Sequence, residues 1–88
     1  MSRMKLVELG RAFIRGEITV EGFVEDIVVE RRKLYGVFEP DKAVDQCGGD
    51  LFIIADCYNP YSDRDDYELD EYGLRKEVKE TLEKYNLL

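Results

Sequence analysis

Apolar residues recur along this chain at helical rather than strand spacing. Leu6, Leu9 and Phe13, with Val7 and Ile14 beside them, give the i, i+3, i+7 stripe of a helix from about Arg3 to Arg15, and Gly16 follows as its stop. Thr19 is a good N-cap for a second helix, with Ile18 and Phe23 at the two positions of a hydrophobic staple. Phe23, Ile27 and Leu34, flanked by Val24, Val28 and Tyr35, form the buried face of that helix. Arg31, Arg32 and Lys33 suit its negative end, and Gly36 is expected as its left-handed C′ residue.

Pro40 marks the next connection. A third helix is expected from about Lys42 to Tyr58, on Val44, Cys47, Leu51, Ile54 and Tyr58. The run 51–55 is apolar enough for a buried strand, but its length and neighbours favour helix. Gly48 and Gly49 inside the helix cost on the order of 1 kcal/mol each relative to alanine, which close approach of a neighbouring helix would explain. Asn59-Pro60 stops it. A last helix is expected from about Tyr72 to Leu87, with Leu74, Val78, Leu82 and Tyr85 on one face. The connections between the first three helices are short, which favours antiparallel neighbours. The pattern predicts an all-α protein: one antiparallel four-helix bundle with a long loop between helices 3 and 4.

Length agrees with one domain spanning 1–88. A chain of 88 residues buries roughly 60–65% of its surface, enough for one thin core and not for a deep enzyme pocket. Hydrophobic residues make up 44% of it, too many for a disordered chain. No stretch approaches the ~20 apolar residues of a membrane span. Met1-Ser2-Arg3 opens the chain without an apolar signal region, so the expected location is cytoplasmic, with no membrane partner. Cys47 and Cys57 are ten apart and there is no histidine, which fits no zinc motif and leaves two reduced, packed thiols as the plain reading.

Charge changes the picture more than composition does. The chain carries a net −7, and residues 56–71 hold seven acids (Asp56, Asp63, Asp65, Asp66, Glu68, Asp70 and Glu71) against Arg64 alone, a net −6. A field that concentrated repels nucleic acid and anionic membranes and attracts a basic surface. Tyr58, Tyr61 and Tyr67 are interleaved with the acids, a composition typical of interfaces because tyrosine offers rigid apolar area with a polar tip. Carboxylates standing for phosphates and rings standing for bases can imitate an RNA strand. The plainer reading of the same segment is a solvated acidic face.

Other chemistry finds less support. Ser2, Thr19, Ser62 and Thr81 are scattered and have no base beside them, and the cysteines lack a histidine partner, so an enzyme is not expected. Neither phosphate-binding glycine pattern occurs. Counted from Asp63 as a calcium loop, position 5 is Tyr67, position 6 is Glu68 where glycine is needed, and position 12 is Leu74 where a glutamate is needed. No dedicated metal site or cofactor is therefore expected. Arg31-Arg32-Lys33 is the one basic run, and a helix end accounts for it better than direct nucleic-acid binding does. From the residues alone two readings stand: an acidic module for a basic partner, and a metal-binding or regulatory acidic helical adaptor.

The stretch Val29-Glu30-Arg31-Arg32-Lys33-Leu34-Tyr35-Gly36-Val37 carries a resemblance. So do Cys47-Gly48, Asp50-Leu51-Phe52, Tyr67-Glu68-Leu69-Asp70, Gly73-Leu74 and Leu82-Glu83-Lys84, with Ile18-Thr19 and Phe23. Together they resemble the colicin D immunity protein family, which includes immunity partners of contact-dependent inhibition toxins with colicin-D-like nuclease domains. The resemblance covers essentially the whole chain. It implies a four-helix antiparallel bundle that binds the C-terminal tRNase domain of a cognate bacterial toxin, one to one, and covers its basic active-site cleft in the manner of tRNA. On that resemblance Asp56, Asp63, Glu68 and Asp70 match acidic positions of the family. Tyr61 and Asn59 stand where the family has acids, and Asp65 and Asp66 add charge at neutral positions. These departures imply a cognate toxin other than colicin D. The expected partner-binding set is Asp56, Tyr61, Asp63, Asp65, Asp66, Glu68 and Asp70.

Overall fold

Gly48, on the third helix, lies directly against Leu6 of the first. A Cβ there would stand 3.0 Å from Leu6 Cδ1, while one on Gly49 would meet nothing within 4 Å. Only the first of the paired glycines is explained by a neighbouring helix. Gly10 answers it from the other side, where a Cβ would lie 3.1 Å from Leu51 Cδ1.

The computed structural model describes residues 4–88, and its helices are α1 (Met4–Ile14), α2 (Val20–Lys33), α3 (Lys42–Asp56) and α4 (Glu71–Lys84). Arg3, where the pattern starts the first helix, and Met1-Ser2, read above for a signal, lie outside the described residues. There is no strand among the described residues. One isolated parallel bridge joins Tyr58 and Leu69. The apolar run 51–55 is helical, as its length implied.

The expected stripes meet in one core. Leu6, Phe13, Phe23, Ile27, Leu34, Cys47, Leu51, Leu74, Val78 and Leu82 are buried, and Phe13 stacks on Phe23 with ring centroids 4.6 Å apart. Tyr35, given to the buried side of the second helix, is instead exposed beyond its end. α1 and α3 each lie against the other three helices, while α2 and α4 flank them. The Cα radius of gyration is 12.4 Å, close to the ~12 Å of a folded chain this long.

Caps decide the helix ends. The Thr19 Oγ1 accepts from the Gly22 N–H at 3.0 Å, with Ile18 and Phe23 both packed on the core. Asp41 Oδ1 accepts from the Ala43 and Val44 N–H groups at 2.9 and 3.3 Å. α1 ends in a left-handed Gly16 (φ +75°), with Glu17 N–H bonded to Ala12 O and Gly16 N–H to Phe13 O. α4 closes the same way on Asn86 (φ +58°), Leu87 N–H reaching Leu82 O at 2.8 Å. It therefore stops at Lys84, short of the expected Leu87. α2 stops at Lys33 with Leu34 as its cap, and Gly36 is left-handed (φ +80°) in the turn after it.

α3 also ends early. Cys57 is its cap, and Tyr58 leaves the helix because the chain is pulled into pairing with the far end of the following connection. Leu69 N–H donates to Cys57 O and Asn59 N–H to Leu69 O, both at 2.8 Å.

Candidate functional site

The pairing of Tyr58 with Leu69 closes residues 59–68 into a loop with its two ends together. The sequence organises the interior of that loop. Asn59 precedes a proline, and its Oδ1 accepts from the Tyr61 N–H at 2.9 Å, an Asx turn around Pro60. Its Nδ2 donates to Glu68 Oε1 at 3.3 Å and to Asp63 Oδ1 at 3.4 Å. Glu68 Oε1 also accepts from the Asp65 N–H at 2.9 Å, while Asp65 O accepts from the Glu68 N–H at 3.0 Å. Arg64, the one base of the segment, turns inward and donates to the carbonyls of Tyr61 (2.8 Å) and Asn59 (3.2 Å).

The acids accordingly divide. Glu68 is half-buried and takes up bonds from both strands of the loop. Asp70 is the N-cap of α4, accepting from the Gly73 N–H at 2.8 Å. Glu71 pairs with Arg75 at 3.1 Å. Asp63 Oδ1 accepts one hydrogen bond among the described residues, from Asn59 Nδ2. The side chains of Asp56, Asp65 and Asp66 are exposed and form no hydrogen bond or ion pair with another described residue. Asp56 stands on the last turn of α3, and Asp65 and Asp66 stand at the outer bend of the loop.

The tyrosines divide as well. Tyr58 is half-buried and packs on the core, so it is no free aromatic surface. Burial pushes its phenol pKa up, and the carboxylates of Glu21 and Glu71 add to the shift. Glu21, from the first turn of α2, thus comes to the same end of the molecule as the acidic segment. Tyr61 and Tyr67 are 72% and 68% exposed. The Tyr67 phenol is pushed up by Glu68 first, then Asp65, with smaller contributions from burial, Cys57 and Asp56, so it stands in a negative field beside the end of α3.

The structure therefore brings Asp56, Tyr61, Asp63, Asp65, Asp66 and Glu68 to one end of α3, with Asp70 at the start of α4. It gives Glu68 and Asp70 structural bonds that charge counting did not foresee. Asn59 and Arg64 were missed as loop organisers. The Asn-Pro pair was the available signal for the first, but nothing local marks an arginine that bonds to carbonyls three and five residues behind it. Cys47 is fully buried and Cys57 partly so, both as free thiols. Among the described residues no group of three or more His, Cys, Asp or Glu side chains is placed to hold a metal ion, and no helix is long and apolar enough to cross a membrane.

What such a surface can do is bind. Its loop is held in shape from inside while several carboxylates face outward, so a partner bearing positive charge meets them with little ordering cost to the backbone. Comparison with known protein families gives a match over residues 1–85 to the family described as bacterial self-protective colicin-like immunity. No curated protein matches the chain.

Proposed function

Since the chain belongs to the bacterial colicin-like immunity family, whose members protect against a cognate toxin, we propose that it inhibits a colicin-D-like, tRNA-cleaving toxin by covering that toxin's basic active-site cleft. The partner is the toxin's C-terminal tRNase domain, bound one to one in the cytoplasm. The protein acts without catalysis, as a single-domain antiparallel four-helix bundle whose acidic loop takes the place of the tRNA backbone. Asp56, Asp65 and Asp66 meet lysines and arginines of the cleft, and Asp63, Glu68 and Asp70 extend the negative surface. Tyr61 adds an aromatic contact where a base would lie.

One observation carries this reading. The loop is braced by Asn59, Arg64 and Glu68 while, among the described residues, the carboxylates of Asp65 and Asp66 at its outer bend and of Asp56 on the adjoining turn of α3 are left unpaired. An acidic face kept only for solubility has no need of a braced backbone. Opposite charge steers encounter, so association is fast and falls steeply with salt.

The test is co-expression with the toxin's C-terminal domain, followed by gel analysis of cellular tRNA. Wild type keeps tRNA intact, and the Asp56→Lys/Asp66→Lys double variant lets it be cut. Full protection by an Asp56→Asn/Asp65→Asn/Asp66→Asn variant overturns the proposal.

A further inference from the structure

Residues 56–71 are sixteen, whereas a stable protein–protein interface engages roughly 20–30 residues a side. The footprint of a toxin domain centred on this segment must spill onto its neighbours. Two neighbours offer apolar surface, α4 through Tyr72 and α3 through Ile53, and only Ile53 is aliphatic. Ile53 is 62% exposed in the last turn of α3. A β-branched residue there gains nothing from burial and is a poorer helix former than alanine, leucine or lysine. Nothing in the fold accounts for it.

Its position does. Ile53, Asp56 and Cys57 stand at i, i+3 and i+4, on one face of α3. Leu69 N–H is bonded to Cys57 O, which fixes the returning strand of the loop against the end of that helix. Tyr67, two residues earlier on that returning segment, is 68% exposed. Ile53 and Asp56 therefore stand one turn apart at the end of α3 to which the segment carrying Tyr67 returns, so apolar, acidic and aromatic side chains gather at that end. Charge alone steers a partner but holds it poorly, because exposed ion pairs contribute little. Long residence comes from apolar and aromatic side chains that lose their water at the centre of the contact.

We infer that Ile53, with Tyr67, is an apolar anchor for the toxin domain, and that the partner surface carries an exposed apolar side chain beside its basic residues. The anchor lies on a rigid helix, outside the acidic segment. The inference rests on the toxin-binding reading above, and the experiment separates the two.

Association and dissociation rates with the purified toxin domain are measured at several salt concentrations for Ile53→Ser, Ile53→Val, Asp66→Asn and Phe38→Ser. Phe38 is an exposed aromatic in the connection at the other end of α3 and serves as the control. Ile53→Ser is expected to dissociate on the order of tenfold faster, with association and its salt dependence unchanged. Ile53→Val restores most of the residence time, and the melting temperature of both variants stays within about 2–4 °C of wild type because Ile53 is largely exposed. Asp66→Asn slows association and flattens its salt dependence. Phe38→Ser matches wild type. If Ile53→Ser dissociates within twofold of wild type while Asp66→Asn still slows association, the anchor is refuted and the acidic surface stands. If Asp66→Asn and its neighbours leave both rates unchanged, the toxin-binding reading of the loop fails, and the anchor fails with it.

Discussion

Asn59 and Glu68 join the two strands of the loop through a side-chain hydrogen bond of 3.3 Å between Nδ2 and Oε1, nine residues apart in sequence. The same two side chains also hold the Tyr61 and Asp65 N–H groups, so one pair orders both flanks of the acidic bend. Asn59→Ala removes the bonds of its side chain to the Tyr61 N–H, to Glu68 and to Asp63, and leaves the Glu68 bond to the Asp65 N–H in place. It is expected to lower global stability by about 1 kcal/mol or less. Its larger effect is local. Native-state hydrogen exchange of the Tyr61 amide should accelerate, that of the Asp65 amide less so because Glu68 still accepts from it, while core amides of α1 and α3 stay protected. Unchanged loop protection would mean the bridge with Leu69 orders the segment alone.

Two acids of the same segment are expected to behave oppositely. Asp70→Ala loses the N-cap of α4 and should cost about 1 kcal/mol in denaturant unfolding. Asp66→Ala breaks no bond formed in the chain and should stay within about 0.5 kcal/mol of wild type. In toxin binding the order reverses, with Asp66 the more sensitive. Equal stability losses at both positions would contradict the division of the acids.

The paired glycines of α3 give a sharper contrast. Gly49→Ala adds a methyl group where no atom lies within 4 Å and should stabilise by about 0.5–1 kcal/mol. Gly48→Leu drives a side chain into the buried Leu6 and should destabilise by on the order of 1–3 kcal/mol. Thermal melts of the two variants should move in opposite directions.

Alkaline pH should weaken the fold through Cys47. Burial, then the Asp50 carboxylate, pushes its thiol up to about 11 from an ordinary 9.0, against a smaller opposing pull from Arg11. The folded state holds that proton more tightly than the unfolded state does. The stability it contributes is complete below about pH 9 and is lost as pH rises to about 11. Tyr85, whose phenol donates to Asp50 Oδ2 at 2.6 Å and is also raised, acts with the same sign. Unfolding free energies measured from pH 7 to 11 should fall in that window, and fall less steeply in Cys47→Ala. At pH 8 a thiol reagent should reach Cys57 well before Cys47.

The helices were legible because each needs only local information. The spacing of Leu6, Leu9 and Phe13, the cap at Thr19 and the stop at Gly16 are written within one or two turns of chain. The acidic segment was legible for the same reason, since net charge over sixteen residues needs no coordinates. Long-range partners were not. That α3 yields its last turn to pair with Leu69, that Arg64 faces inward, and that Glu21 of α2 bears on Tyr58 all depend on groups distant in sequence.

The sequence by itself determined four amphipathic helices and where the negative charge would gather, because periodicity and charge are properties of neighbours along the chain. Only the tertiary structure decided which acids are occupied and which are free. Hydrogen bonding consumes Glu68 and Asp70, whereas Asp65 and Asp66 are spared by the path of the backbone between Asn59 and Glu68, and Asp56 faces outward from the last turn of α3. That path is set by bonds between residues that meet only after the helices have packed.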